Sequence, residues 1–517
     1  MRRSEHQQAL ALGRQAFDAQ RWDEVIAAYG EVLESGDEDP DLLSDLGVAH
    51  MQCWRLSQAA GYFRRALELE PDHPYALANL ASVCQESLQP ERALQYKLRV
   101  LENLDGLGER RDVVRAFADY LFSCTTQLPF AAVAAEIRRL GGRYWGPPAP
   151  ARQASAVGPG RRIRLGYLSA DFSRHTVMAL LEPLFTHSDL ERFEIFCYAN
   201  AGKRDDVTAW LEAHTRFRYI HRLSDKQAHF LMRNDQLDLL VDLSGFGCGH
   251  RLALLARKPA PRLATGLGFL FPTGCPAVDY ALLDAQLFSD ADAALVPETF
   301  VRIPGNLFYR PDPELPLAGL QRAAGPIVFG SANSLFKLNG PVLDCWAEIL
   351  RRVPGAVLKL KARALSDPQV LDQARACFSA RGIDPGRLVL SGQSLRREVM
   401  EWYHGVDICL DPFPYQGGFT SCEALYMGCP IIAVDGGGSN TSLSALRACG
   451  LDEYITATPA DYLRAAVQLG QTLAGWDLQQ RLDLRHRIRA RIQGSRIFDP
   501  VGFVTGIEQA YEFIVSR

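Results

Sequence analysis

Three stretches hold residues whose types and spacing could do chemistry. The first runs from Val406 to Val434, VDICLDPFPYQGGFTSCEALYMGCPIIAV. Its apolar run Val406–Leu410, closed by Asp411 and two prolines, reads as a buried strand. Gln416-Gly417-Gly418 then makes a tight loop in which backbone can approach a ligand. Thr420 or Ser421 is expected to cap a helix over Cys422–Met427, whose N-terminal N–H groups and dipole favour an anion at that loop. Glu423, in the expected first turn, can accept from ribose hydroxyls while a diphosphate sits on the N–H groups. Gly428-Cys429-Pro430 ends the helix and Ile431–Val434 begins the next parallel strand. This is half of a nucleotide site at the carboxyl end of a parallel sheet. An ordinary βα turn has the same pattern.

The second stretch is Ser169–Thr176, SADFSRHT, directly after an apolar run at Ile163–Leu168. A histidine in a polar loop at a strand's carboxyl end can face a cleft, and its unperturbed pKa suits proton transfer near neutrality. His175 is therefore a candidate base; a solvated loop histidine is the plainer alternative. The third is Ser331–Lys337, SANSLFK, after Ile327–Gly330. Lys337 there can offset charge on a leaving diphosphate, or simply be a surface lysine. Asp290 and Asp292 spell DxD, but the segment is rich in Ala and Asp and is read as a surface turn. No GxGxxG follows the first strand, which argues against a flavin or nicotinamide site.

These segments need a scaffold of strands alternating with helices, and the pattern supplies one. Ile163–Leu168, Phe193–Tyr198, Leu237–Leu243 and Leu282–Leu283 read as strands, with Val177–Thr186 helical between the first two. After the Pro-rich Pro311–Pro316, a second series follows: Ile327–Gly330, Ala356–Lys361, Leu388–Leu390, Val406–Leu410 and Ile431–Val434. Two such halves facing a cleft describe the GT-B architecture of nucleotide-sugar transferases. The last helix, Val501–Ser516, could return to brace the first half.

The first 100 residues repeat. Gly13, Gly47 and Ala81 are spaced by 34, as are Val25, Ala59 and Ala93. Tyr29 matches Phe63, Pro40 matches Pro74, and Pro71 closes the second unit. Each unit reads as two amphipathic helices with small residues at the crossing, which resembles the tetratricopeptide repeat. Such repeats stack into a superhelix with a concave face for extended peptides, although helical hairpins serving only as packing would look alike. Glu102–Leu140 reads as further, less regular helix. The expected division is therefore 1–140 repeats, 141–160 a linker rich in Gly, Pro and Ala, 161–316 a first Rossmann-like half and 317–517 a second.

At 517 residues, 47% hydrophobic and 22% charged, the chain is expected to be globular with about three domains. A net charge of −4 gives no general reason to bind nucleic acid or membrane. No leader-like apolar run follows MRRSEHQQ, and no run of about 18 apolar residues is present. Twelve cysteines without a CxxC pair read as buried, reduced thiols of a cytoplasmic protein, not a zinc site.

Taken together, GGFTSCEALYMGCPII, RLGYLSADFSRHTV, VDLSGFGCGHR, KPAPRLATGLG and SANSLFKL behind tetratricopeptide repeats resemble the O-GlcNAc transferase family, including its SPINDLY-type and bacterial members. The resemblance covers nearly the whole chain. It implies a tetratricopeptide superhelix followed by a GT-B glycosyltransferase of two Rossmann-like halves. It also implies an inverting, metal-independent enzyme that moves a sugar from a nucleotide donor to Ser or Thr hydroxyls of proteins. By this likeness His175 is the base or acceptor-orienting group and Lys337 contacts the diphosphate, with Asn333 and Ser334 in the same loop. By the same likeness Arg396 sits where a lysine near the uracil is expected. Gly417, Gly418, Phe419, Thr420, Ser421 and Glu423 make the nucleotide-sugar loop. Ser244, Gly247, Pro272, Thr273 and Tyr415 surround sugar and acceptor.

The chain departs from the better-known members in places. FLFPTG at Phe269–Gly274 replaces a YPGTSG-like loop, and Gly247 replaces a threonine. Tyr415 stands where a small residue lies near the sugar's N-acyl group, Gly418 replaces a histidine, Ser421 a glycine and Glu423 an aspartate. Ser439-Asn440 replaces a Ser-Arg pair. These changes fall around sugar and acceptor more than around the nucleotide. The expected function is transfer of a sugar, GlcNAc first, from a UDP-sugar to a protein acceptor bound by the repeats, with no cofactor or metal. The alternatives are a repeat scaffold with an inactive transferase half, or a nucleotide-sugar enzyme acting on another acceptor or sugar. The oligomeric state is open.

Overall fold

A computed structural model describes residues 3–36, 38–104, 109–145, 158, 160–202, 204–305, 307–311, 325–436, 438 and 440–517. Six helices come first: α1 (Arg3–Asp18), α2 (Trp22–Glu34), α3 (Pro40–Gln52), α4 (Leu56–Leu69), α5 (Pro74–Glu86) and α6 (Pro90–Leu104). Then come α7 (Arg110–Gln127) and α8 (Phe130–Tyr144). Strands β1 (Ile163–Ser169), β2 (Phe193–Ala199), β3 (Arg216–Tyr219), β4 (Leu239–Asp242), β5 (Arg262–Gly266), β6 (Tyr280–Asp284) and β7 (Thr299–Ile303) form the first half. Between them lie α9 (Thr176–Leu181), α10 (Pro183–Thr186), α11 (Asp206–His214), α12 (Asp225–Asn234), α13 (Leu252–Leu255) and α14 (Asp290–Ala293). The second half holds β8 (Val328–Ser331), α15 (Gly340–Arg352), β9 (Val357–Lys361), α16 (Pro368–Ser379), β10 (Leu388–Ser391) and α17 (Arg396–Trp402). It continues with β11 (Ile408–Leu410), α18 (Phe419–Tyr426), β12 (Ile431–Val434), α19 (Thr441–Ala448), β13 (Ile455–Thr456), α20 (Pro459–Ala474), α21 (Leu478–Gln493) and α22 (Pro500–Val515). The architecture is thus N-terminal helical repeats followed by two parallel-sheet, Rossmann-like halves.

Packing divides the chain into two compact units. One holds Met1–Gly108 with Gly325–Val399, the other Glu109–Ala324 with Met400–Arg517. The strands of the second half are shared out, β8–β10 to the first unit and β11–β13 to the other.

In the first unit the 34-residue spacing has a steric cause. A Cβ on Gly13 would fall 2.1 Å from the Tyr29 ring, and one on Gly47 would fall 2.5 Å from the Phe63 ring. Each of the first two repeats therefore seats an aromatic ring of its second helix directly on backbone of its first, a close approach that only glycine allows. In the third repeat the ring position is Lys97, a narrower stem, and Ala81 is accommodated. Pro40 and Pro74 recur because each is the first residue of a helix, where its missing N–H costs nothing. The repeats are fastened to the rest of their unit. Asp367, 4% exposed, caps α16 through Oδ1 and accepts from Ser57 N–H and Ser57 Oγ, each at 2.8 Å, through Oδ2. Helix α5 packs on the 3₁₀ turn Leu335–Lys337, and Arg363 lies 4.6 Å over the Trp54 ring.

In the second unit the seven parallel strands run in the order β3-β2-β1-β4-β5-β6-β7. Strands β3, β5 and β7 escaped the sequence pattern because they are short and their apolar residues are interrupted by Arg, Thr or Gly. The final helix does return to the first half: Tyr511 Oη meets Tyr167 Oη at 3.1 Å in full burial, and Glu508 accepts from Asp189 N–H at 2.9 Å. The expected linker 141–160 overlaps α8 as far as Tyr144, while residues 146–157 and 159 lie outside the described residues, as does most of Pro311–Pro316. The cysteines are all free, but Cys248 is exposed and Cys53, Cys345 and Cys377 are half-buried, so burial is not general. Asp290 and Asp292 lie in the single helical turn α14, with Asp290 exposed and paired to Arg302 at 2.6 Å. Among the described residues no helix is long and apolar enough to cross a membrane, and no three His, Cys, Asp or Glu side chains gather as metal donors.

Candidate functional site

In the second unit the loops at the carboxyl ends of β1, β4 and β5 converge, as ligand loops of open parallel sheets do. The loop after β1 carries His175, which is the N-cap of α9: its Nδ1 accepts from Val177 N–H at 3.3 Å. The imidazole is 48% exposed, and Asp171 Oδ1 lies 3.5 Å from the same Nδ1. The loop after β4 is shaped by Asp242, which is fully buried and accepts from Ser244 N–H at 3.3 Å and Gly245 N–H at 2.9 Å. Burial pushes the Asp242 carboxyl up to about 7, against the pull of those bonds. Ser244 Oγ accepts from Ala170 N–H at 3.4 Å, which ties this loop to the His175 loop. Gly249, at φ +75°, lets the two loops touch: a Cβ there would lie 2.5 Å from Ala170 Cβ.

The FLFPTG loop after β5 joins the cluster through Phe269, whose ring lies 5.6 Å from Phe246 and 6.2 Å from Phe122 of α7. Phe122 also meets Tyr415, at 6.2 Å and 64°. Tyr415 is half-buried, and desolvation pushes its hydroxyl up to about 12. His175, Ser244, Gly247 and Tyr415 are thereby brought into one loop cluster. Pro272 and Thr273 are both buried, and Thr273 Oγ1 donates to Glu298 Oε1 at 2.8 Å. Glu298 also accepts from Gly274 N–H at 2.6 Å, and burial holds its carboxyl up at about 7. Thr273 and Glu298 thus fasten the base of the loop.

The glycine loop before α18 is held from the side. Asp411 Oδ1 accepts from Gly417 N–H at 3.0 Å, and Gly417 C=O accepts from the hydroxyls of Thr441 and Ser442. Gln416 Oε1 accepts from Ser442 N–H at 3.1 Å while its Nε2 donates to Val434 C=O at 2.6 Å. A Cβ on Gly417 would lie 2.3 Å from Ser421 Oγ, so the loop tolerates no side chain there. The helix begins earlier than its sequence implies. Gly418 takes the N-cap position with no side-chain cap, Phe419 is the first helical residue, and Thr420 and Ser421 lie in the first turn. Phe419 prolongs the helix because its ring packs on Tyr309 at 5.2 Å. Ser421 Oγ, expected as a cap, instead pairs with Ser442 Oγ at 2.7 Å. Glu423 consequently falls beyond the first turn and is only 2% exposed. Ser439, of the Ser439-Asn440 pair, lies outside the described residues, and Asn440 donates to Leu287 C=O at 3.3 Å.

In the first unit Lys337 ends a 3₁₀ turn and donates from Nζ to Asn333 Oδ1 at 2.9 Å. Asn333 is buried and donates to Ser331 Oγ at 3.2 Å, so the lysine's partner is itself held. Ser334 is exposed at the N-cap of that turn, and Arg396 is exposed at the first residue of α17.

A cavity of about 680 Å³ opens beside His175, walled by Met178, Phe185, Val207, Trp210 and Leu211 of α9–α11. Its volume is in the range of ligand pockets. Sequence reasoning missed Asp171, Phe122, Glu298 and the Thr441-Ser442 pair. Only Asp171 carried a signal, as a carboxylate four residues before the candidate base.

The model of the family described as Glycosyl transferase family 41 matches residues 149–298 and 319–507. A probable UDP-N-acetylglucosamine--peptide N-acetylglucosaminyltransferase SPINDLY of Arabidopsis thaliana is 31% identical over 366 residues, 68% of this chain and 39% of that protein. Its counterpart in Solanum lycopersicum is 30% identical over 372 residues, 69% of this chain and again 39% of the relative. The chain therefore spans about two-fifths of the length of these curated relatives. A solved structure of a lysine-to-methionine mutant of Thermobaculum terrenum O-GlcNAc transferase is 31% identical, with a TM-score of 0.89 over 99% of this chain and 98% of that one. With that model matching more than half of the chain, the chain belongs to glycosyl transferase family 41.

Proposed function

We propose that this protein is an inverting O-glycosyltransferase that moves a sugar, GlcNAc first, from a UDP-sugar to Ser or Thr hydroxyls of proteins. The observation that carries the reading is the glycine loop of α18, a backbone N–H end held open by Asp411, Gln416 and the Thr441-Ser442 pair, in a chain of this family. The diphosphate sits on that helix end, where dipole and N–H groups favour an anion. Lys337 offsets the charge that grows as the nucleotide leaves, and Glu423 accepts from the ribose. The acceptor oxygen attacks the anomeric carbon from the opposite face, with its proton passing to His175. The reaction as written uses no metal, the repeats present the acceptor protein, and the setting is cytoplasmic.

The test is incubation of the protein with a panel of UDP- and GDP-sugars and candidate acceptor proteins, read as a mass increment on protein. Transfer from one UDP-sugar, insensitive to EDTA, is expected. Donor hydrolysis without transfer would point to another acceptor. Calorimetry showing no UDP binding would remove the reading, whereas wild-type affinity in Glu423→Ala would remove only Glu423. That substitution is expected to cost about 1.5–3 kcal/mol of UDP binding per lost bond to the carboxylate.

A further inference from the structure

His175 Nδ1 stands between two partners that require opposite protonation. Val177 N–H, at 3.3 Å, needs a bare Nδ1 to donate to. Asp171 Oδ1, at 3.5 Å, needs a proton on Nδ1 to accept. A neutral imidazole carries one proton, so each partner selects a different tautomer. When Val177 wins, Nε2 holds the proton, and His175 can only donate toward an acceptor or a phosphate oxygen. When Asp171 wins, Nε2 is bare and can take a proton. The capping bond thus holds the ring in the form unable to act as a base.

We infer that Asp171 is a positioning residue that draws the His175 proton onto Nδ1 and so makes Nε2 the base; this rests on the transferase reading above. Three features of the geometry support it. The Asp171 carboxylate is 24% exposed, and among the described residues its charged partner is the His175 ring. Its backbone is fixed independently, with N–H donating to Ser169 Oγ at 2.9 Å and C=O accepting from Ser173 N–H at 2.7 Å, so the carboxylate is presented rather than used for folding. The other charged groups of the cavity are engaged elsewhere: Arg174 pairs with Asp206 of α11 at 2.5 Å and Glu182 with Arg310 at 2.7 Å. Asp205, at the start of α11, accepts from Arg174 N–H. Burial raises the Asp171 carboxyl, partly offset by the nearby ring, which strengthens it as a proton acceptor.

In the reaction the acceptor O–H proton passes to Nε2 while Nδ1–H stays hydrogen-bonded to Asp171. The O–C1 bond to the sugar forms, the bond from C1 to the diphosphate oxygen breaks, and the nucleotide diphosphate leaves with the electron pair. The imidazolium then returns its proton to solvent.

Asp171→Asn separates the tautomers, because the amide N–H can donate to Nδ1 and joins Val177 in holding the proton on Nε2. The readout is nitrogen NMR of the full-length chain with labelled histidine, together with the pH profile of kcat/KM. Wild type is expected to show Nδ1–H rising when donor and acceptor analogue bind, and Asp171→Asn to stay Nε2–H. The variant is expected to lose on the order of 10²–10⁴ in kcat, with KM for the donor within about twofold and the acidic limb of the profile gone. Asp171→Glu is expected to restore part of the rate and the limb. An unchanged tautomer and pH profile in a folded Asp171→Asn protein would overturn the proposal. If His175→Ala also transferred at the wild-type rate, the base reading itself would fall, and the NMR result would tell the two failures apart.

Discussion

The ammonium of Lys337 donates to Asn333 Oδ1 at 2.9 Å, so the side chain is aimed before any ligand arrives. Charge on the diphosphate grows as the sugar departs, so loss of this group should lower kcat more than ground-state binding. Lys337→Ala is expected to cost about 10²–10³ in kcat with a small change in UDP affinity. Lys337→Arg should recover part of it, because a planar fork replaces a compact charge. Single-turnover rates and calorimetry check both, and a wild-type kcat in Lys337→Ala would remove the lysine from the leaving-group site. Glu298 gives a second prediction at this scale. Its folded pKa of about 7 lies above its ordinary 4.5, because burial disfavours the charged form. A raised folded pKa means that its favourable contribution is complete below about pH 4.5 and is lost as the pH climbs to about 7, after which the curve levels. Urea unfolding from pH 5 to pH 8 should show wild type losing on the order of 3 kcal/mol more than Glu298→Gln over that span. Parallel curves for the two proteins would show that Glu298 is not responsible.

At the scale of elements, the repeats stand on rings seated against glycine. Phe63 is fully buried, and a Cβ on Gly47 would overlap its ring at 2.5 Å. Gly47→Ala is therefore expected to destabilise by about 1–3 kcal/mol despite alanine's better helix propensity. A thermal melt checks this, and an unchanged or raised Tm would mean that the ring moves aside freely. In the third repeat the equivalent position is Ala81, which is buried, and Ala81→Gly is expected to cost about 0.5–1 kcal/mol through helix propensity. The same reasoning explains α18. Its start was legible only as a glycine loop, because Phe419 enters the helix through a contact with Tyr309, 110 positions earlier in the chain.

For the whole molecule, the repeats are a structural part of the unit they share with Gly325–Val399. Asp367 would lose its Ser57 partners and the turn bearing Lys337 would lose α5 if the repeats were removed. A chain beginning near Gly160 is accordingly expected to lose transfer to protein, to melt several degrees lower and to hydrolyse donor more slowly than the full chain. Calorimetry and donor hydrolysis measured together decide it. Full donor hydrolysis with an unchanged Tm would make the repeats an independent arm. At the other end, α22 covers the first half through Tyr511 and Glu508, the return expected of the last helix.

The repeat period, the alternation of strand and helix, the glycine loop and the histidine and lysine of the two loops were all legible in the chain, because each depends on local spacing or local turn chemistry. The family followed from motifs that are contiguous in sequence. What only tertiary structure decided depends on contacts between distant residues. Thr273 became a fastening of the loop because buried Glu298 takes its hydroxyl. Ser421 lost its capping role because Ser442 meets it. Glu423 falls beyond the first turn because Tyr309 draws Phe419 into the helix. The choice of proton on His175, set by Val177 on one side and Asp171 on the other, depends on a few tenths of an ångström that no residue pattern encodes.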